Sequence, residues 1–262
     1  MSFLSTEFNW NNVSSQDMNL CLVRIGQDTI TQSLSAQKTL VKEHVKFKNT
    51  FYYGADRETY TLSMQIMKTN EEEPFVPEDR RELLRFFMSD DEFHPFVVNG
   101  DFPGIEFWVQ FTKVEFTINS IGQGYFQLEC ESNDPYPFSS MEVMEFDLSE
   151  NTTSTIIEIP NNCNTSPYFT PNILQFTLIG DSTSFSLKNL TNSGNVFSFN
   201  NLSLLETVAI NSNQEIISDS GIERISKFNF GFNALELSYG INRLEITGKC
   251  LLTLQLQYPI QI

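Results

Sequence analysis

Thr59-Tyr60-Thr61-Leu62-Ser63-Met64-Gln65-Ile66-Met67 is the stretch that sets the fold class. Tyr60, Leu62, Met64 and Ile66 recur at every second position, and Thr59, Thr61, Ser63 and Gln65 fill the gaps. A strand sends successive side chains to opposite faces, so this spacing makes one apolar face and one polar face. The reading is a half-buried β-strand. Segments of the same kind flank it, at residues 20–25, 39–48 (with Leu40, Val41, Val45 and Phe47), 96–98, 106–111, 114–118 and 125–131. Ahead of them, Asn11-Asn12 marks a turn after the opening aromatic segment.

One segment departs from the two-residue period. Pro77 suits the first position of a helix, and Glu78 and Asp79 fall in the first turn, where the helix dipole favours acids. Leu83, Leu84, Phe86 and Phe87 supply its apolar face. The acidic run Ser89-Asp90-Asp91-Glu92 opposes the dipole at the other end, so the helix is expected to stop near Met88. Beyond Asp134-Pro135-Tyr136-Pro137, where two prolines break any strand, helical periodicity vanishes. Short apolar segments at 156–159, 173–179, 184–187, 196–199, 207–210, 236–239, 243–246 and 251–258 alternate with Asn-, Ser-, Gly- and Thr-rich turns. That spacing predicts an antiparallel β-sandwich. The chain is therefore read as mainly β, in two domains: 1–138, a β-sandwich or split barrel with one helix, and 139–262, a second sandwich.

Composition supports strands: the 262 residues include 24 Phe, and 40% are hydrophobic. Charge narrows the partners. Lys plus Arg total 16 against 33 Asp plus Glu, a net −17, and each half of the chain is acidic. DNA and anionic membranes would be repelled on average, so sequence-specific nucleic-acid binding is not expected. An acidic wall would still suit a conduit through which DNA slides. No run approaches the length of a membrane span, and Met-Ser-Phe-Leu-Ser-Thr-Glu-Phe carries no secretory signal pattern. Cys21, Cys130, Cys163 and Cys250 form no CxxC pair and are read as reduced thiols of a protein made in a cytoplasm.

The sequence offers little for catalysis. His44 and His94 are the only histidines. His94 follows Asp90-Asp91-Glu92, but these acids are adjacent on a loop, with no zinc-type ligand spacing, so a solvated loop is expected there. Glu71-Glu72-Glu73 lacks the pattern of a calcium loop, and Gly122-Gln123-Gly124 is a short turn with no helix after it to cradle phosphate. No catalytic residue, metal ligand or cofactor site is assigned.

The order of elements resembles the distal tail protein family of siphophage-type tails. Phe8-Asn9-Trp10-Asn11 is similar to that family's opening aromatic-Asn segment. The helix at 80–88 falls between strand groups. Gly124-Tyr125-Phe126-Gln127-Leu128-Glu129-Cys130 followed by Asp134-Pro135-Tyr136 resembles its end-of-domain strand and Asp-Pro turn. In the second half, 171–199 with Gly180 and Asn189-Leu190-Thr191-Asn192, and Gly240-Ile241-Asn242 within 237–246, resemble the family's galectin-like domain. A Gly followed two residues later by Asn suits a tight turn, because both tolerate positive φ.

The resemblance implies a non-enzymatic hub of the tail-tip baseplate, located in the virion and assembled in the host bacterial cytoplasm. The N-terminal domains would close a hexameric ring, with rings able to stack in pairs. The ring would continue the tail tube, join the tail-associated hub protein and carry receptor-binding or other adsorption proteins, while DNA passes through. Trp10, Asp134, Pro135 and Tyr136 are the residues expected to matter for packing and domain placement. The alternative is a stand-alone carbohydrate-binding module in host cell-wall recognition, for which Tyr168, Phe169, Phe230, Phe232 and Tyr239 are the available aromatic rings.

Overall fold

The computed structural model describes residues 3–26, 38–44, 46, 50–192, 196–213, 215–220 and 235–262. Val45 and Phe47 of the expected 39–48 strand, residues 193–195, Phe230 and Phe232 lie outside the described residues. The fold is mainly β: the described residues put 51% of the chain in strands and contain one helix. The chain forms two compact units, Met1–Ser139 with Ile260–Ile262, and Ser140–Pro259. The last three residues, placed in the second domain by sequence, thus fall with the first. No helix among the described residues is long and apolar enough to cross a membrane.

The first unit contains β1 (Asn9–Trp10), β2 (Val13–Ser14), β3 (Leu20–Val23), β4 (Lys38–Glu43), β5 (Phe51–Arg57), β6 (Thr61–Lys68), α1 (Pro77–Met88), β7 (His94–Val97), β8 (Ile105–Ile118), β9 (Gly124–Ser132) and β10 (Phe138–Ser139). Its main sheet is antiparallel, in the order β2-β1-β7-β8-β9-β6-β3 with β10 added on β8, and it curls into a half-barrel. Among the described residues, β4 and β5 pair only with each other, as a separate two-stranded sheet. Alternation in β6 works as expected: Leu62, Met64 and Ile66 are buried, while Thr61 and Ser63 are exposed. They join a core rich in Phe, where Phe75, Phe87, Phe96, Phe107 and Phe126 are almost fully enclosed. Each such ring contributes roughly 1.5–3 kcal/mol through the apolar surface it removes from water.

Two local expectations change. Residues 106–111 and 114–118, read as two strands, are one 14-residue strand, β8. Phe107, Val109 and Phe111 point inward, whereas Val114, Phe116 and Ile118 carry the apolar phase on the opposite parity. A register shift between Phe111 and Lys113 absorbs that change of phase, so a bulge at Thr112 took the appearance of a break. In α1, Leu83 and Phe87 are buried, but Leu84 is 42% exposed and lies off the packed face. The start of the helix is as expected, with Pro77 first and the Asp79 carboxylate accepting a hydrogen bond from Val76 N at 3.1 Å.

The second unit contains β11 (Glu142–Asp147), β12 (Ser154–Asn161), β13 (Tyr168–Phe169), β14 (Ile173–Leu178), β15 (Phe185–Asn189), β16 (Val196–Phe199), β17 (Thr207–Asn211), β18 (Ile216–Ser218), β19 (Leu237–Ser238), β20 (Gly240–Thr247) and β21 (Cys250–Leu256). They form a five-stranded sheet, β11-β21-β14-β17-β18, a four-stranded sheet, β12-β20-β15-β16, and a small β13-β19 pair. Phe176 of β14 stacks on Phe185 of β15 with ring centroids 4.0 Å apart, so the two larger sheets face each other as a sandwich. Leu252, Leu254, Leu256 and Tyr258 are all buried, as their two-residue period required.

Candidate functional site

Trp10 sits on β1, which pairs with β7 so that Trp10 lies opposite Phe96. The strand is short because Asn11 and Asn12 follow with φ of 48° and 63°, the left-handed conformation Asn tolerates best among residues with a Cβ. The indole is only 3% exposed and meets Phe111 at 4.7 Å and His94 at 5.4 Å, both edge to face. Trp10 therefore packs inside its own unit.

The Asp134-Pro135-Tyr136 turn is built on the end of β9. Ser132 Oγ accepts from Tyr60 N at 2.9 Å and donates to Asp134 O at 2.8 Å. The Asp134 carboxylate accepts from Tyr136 N at 2.9 Å, an Asx turn that the Asp-Pro pair favours. The Tyr136 ring lies under the Arg57 guanidinium, 4.9 Å from centroid to carbon. Just after it, Pro137 O accepts from Ile260 N at 2.8 Å. The chain thus leaves and re-enters the first unit at one place. The structure brings Asp134, Pro135 and Tyr136 together there and leaves Trp10 on β1, a separate part of the same unit.

Asp90, Glu92 and His94 do converge, contrary to the sequence reading. One ligand atom of each lies within 4.8 Å of the other two. The reason is that β7 begins at His94 and folds it back: His94 Nε2 and Asp90 Oδ2 are 2.6 Å apart, and the Trp10 edge fixes the imidazole. This hydrogen bond, with a second from Glu92 N, holds the Asp90 carboxyl below its ordinary pKa. On the described residues the arrangement is a hydrogen-bonded pair that closes the loop after α1.

Lys68 at the end of β6 reaches Glu73 at 2.6 Å and Asp79 at 2.7 Å. Burial works against its charge, but the two carboxylates outweigh that and raise its pKa. Cys130 and Cys250 are enclosed, and burial pushes each thiol up to about 12, which keeps both protonated at neutral pH. All four cysteines are free.

In the second unit three buried asparagines bond the backbone. Asn242 is fully buried; its Oδ1 accepts from Ser238 N at 2.8 Å and its Nδ2 donates to Ser238 O at 2.7 Å and Gly240 O at 3.2 Å. Gly240 takes the positive φ, 95°, at this turn. Asn242 is not among the positive-φ residues, so its place in the Gly-x-Asn motif comes from the side-chain clamp. Asn161 and Asn189, also buried, grip Leu237 O and Glu236 O in the same manner. Of the aromatic rings considered for sugars, Phe169 is buried against Tyr258, while Tyr168 and Tyr239 are 48% and 69% exposed.

Known proteins share this architecture. A phage tail protein N-terminal domain family matches residues 3–134, and a phage tail C-terminal domain family matches residues 136–256. The SPbeta prophage-derived protein YomH of Bacillus subtilis strain 168 is 22% identical over 258 residues, 97% of each chain. The crystal structure of the Dit protein of phage SPP1, described as a paradigm of the hub adsorption apparatus in phages infecting Gram-positive bacteria, superposes with a TM-score of 0.64 at 11% identity. The match covers 96% of this chain and 98% of that one. A chain of the phage P2 baseplate in its activated conformation matches with a TM-score of 0.53 at 9% identity, over 99% and 100% of the two chains. With both units matched end to end, the chain belongs to the phage tail protein family and has the fold of the distal tail protein Dit.

Proposed function

We propose that this chain is the structural hub of a phage tail tip. It assembles as a hexameric ring that continues the tail tube and joins the tail-associated hub protein. The ring supports adsorption proteins and lets DNA pass, and the chain performs no catalysis of its own. The observation that carries the reading is the match of both units, in order and nearly end to end, to phage tail families and to the Dit fold. The chemistry of the chain agrees. Its clustered polar groups close turns and loops, as Asn242, Asp134 and the Asp90–His94 pair do. Its net charge of −17 disfavours DNA adhering to a lumen.

The role would be geometric. Contacts between two different patches of the same chain close into a ring when the rotation per copy permits, which fixes the places of partners above and below. Light scattering behind a sizing column tests it: the expected species has about six times the 30.1 kDa chain mass, or twice that for paired rings. A chain that stays monomeric at every concentration would overturn the ring.

A further inference from the structure

Among the described residues, the β4–β5 hairpin has no core face. All of β4 and much of β5 are exposed, including Leu40 at 49% and Tyr52 at 61%. A lone two-stranded hairpin is marginal in water, so its apolar side chains call for a partner. Its charge runs against the rest of the chain. Residues 38–57 hold 5 of the 16 Lys and Arg but 2 of the 33 acids, which makes +3 there and −20 elsewhere.

The two faces of the hairpin differ. Directly paired residues of antiparallel strands share a face. The pairs Lys38–Arg57, Leu40–Ala55 and Lys42–Tyr52 therefore lie on one side. Thr39–Asp56, Val41–Gly54 and Glu43–Phe51 lie on the other. Every base of the two strands is on the first face, and both acids are on the second. Tyr136 holds the root of the basic face through Arg57.

The same unit carries a complementary groove, between α1 and the turn that precedes β3. Five carboxylates line it against two bases, Lys68 and Arg85. Glu73 and Asp79 already hold Lys68, and Asp90 is bonded to His94, so Asp17 and Glu82, both exposed, are the acids that face an incoming cation. Phe75 and Phe86 supply apolar lining.

We propose that the basic face of the β4–β5 hairpin of one copy docks in the acidic α1 groove of a second copy. This names the contact within the ring proposed above and rests on that reading. The charges match in sign, Leu40 and Tyr52 meet an apolar lining, and the two patches are different, as ring closure demands. A polyanion is the poorer occupant, because the −20 of the remaining chain repels it.

A charge swap in the full chain tests it, read as assembly mass against concentration. Lys38→Asp with Lys42→Asp should raise the concentration for half-assembly on the order of tenfold or more, the scale of close interfacial charge pairs. Asp17→Lys with Glu82→Lys should do the same, and the four changes together should restore assembly. Rescue cannot come from misfolding, and circular dichroism of each variant checks the fold directly. Normal assembly of the hairpin variant would overturn the docking while leaving the ring reading intact, and so would failure of the fourfold variant to recover. Hairpin-dependent retention of duplex DNA with unchanged mass would overturn it in favour of a polyanion. A wild-type chain that never assembles would defeat the ring reading and this contact together.

Discussion

Trp10 shows what a single residue can and cannot declare in sequence. Its size and its place beside two turn-forming asparagines mark it as important, but not what it touches. The structure answers with Phe111 and His94, both in its own unit. Its loss is therefore a core defect. Trp10→Ala should cost roughly 3–5 kcal/mol of stability, read from the denaturation midpoint, while Trp10→Phe should retain most of the contact with Phe111. A wild-type midpoint for Trp10→Ala would show that the indole contributes nothing to the core. His94 teaches the opposite lesson. Two-residue spacing to Glu92 and four-residue spacing to Asp90 read as an open loop, and only the turn back into β7 brings the three together.

At the scale of elements, legibility follows burial. β6, β9 and β21 each bury one face, so their apolar residues fall at every second position and the strands can be read directly. β5 buries neither face and leaves no period by which its seven residues could be read as a strand. β11 is an acidic edge strand that pairs only with β21, and its charges, which also guard that edge, hid it. The asparagines of the second unit were visible as turn formers, but the clamps were not, because a side-chain bond to the backbone leaves no trace in spacing. Asn242→Ala would remove three hydrogen bonds to the part-buried backbone of Ser238 and Gly240, and should cost roughly 0.5–1.5 kcal/mol for each bond lost. Asn242→Asp keeps the acceptor for Ser238 N but loses both donated bonds, so it should not rescue. A thermal melt of either variant equal to wild type would show that the clamp carries no stability.

At the scale of the molecule, the prolines after Asp134 mark where a strand must end, but no sequence pattern marks the return of the C-terminal residues to the first compact unit. Ile262 packs against the first core, and Ile260 N bonds Pro137 O at 2.8 Å. That closure predicts that residues 140–259 can be replaced by a short Gly-Ser linker with the first unit still folding cooperatively. A span of one hydrogen bond costs little loop entropy. Near-ultraviolet circular dichroism through a thermal scan would check it, and a molten, non-cooperative product would refute it.

The same pair of neighbouring crossings bears on how such a chain can change over time. A segment whose two ends meet at a single point on the remaining unit can be exchanged for any other whose ends also meet. Two recombination joints, one on each side of the Pro137–Ile260 bond, would transplant the whole segment and leave the Phe-rich core untouched. Diversity would then gather in the transplanted part, while the half-barrel stays under the constraint of packing its own core.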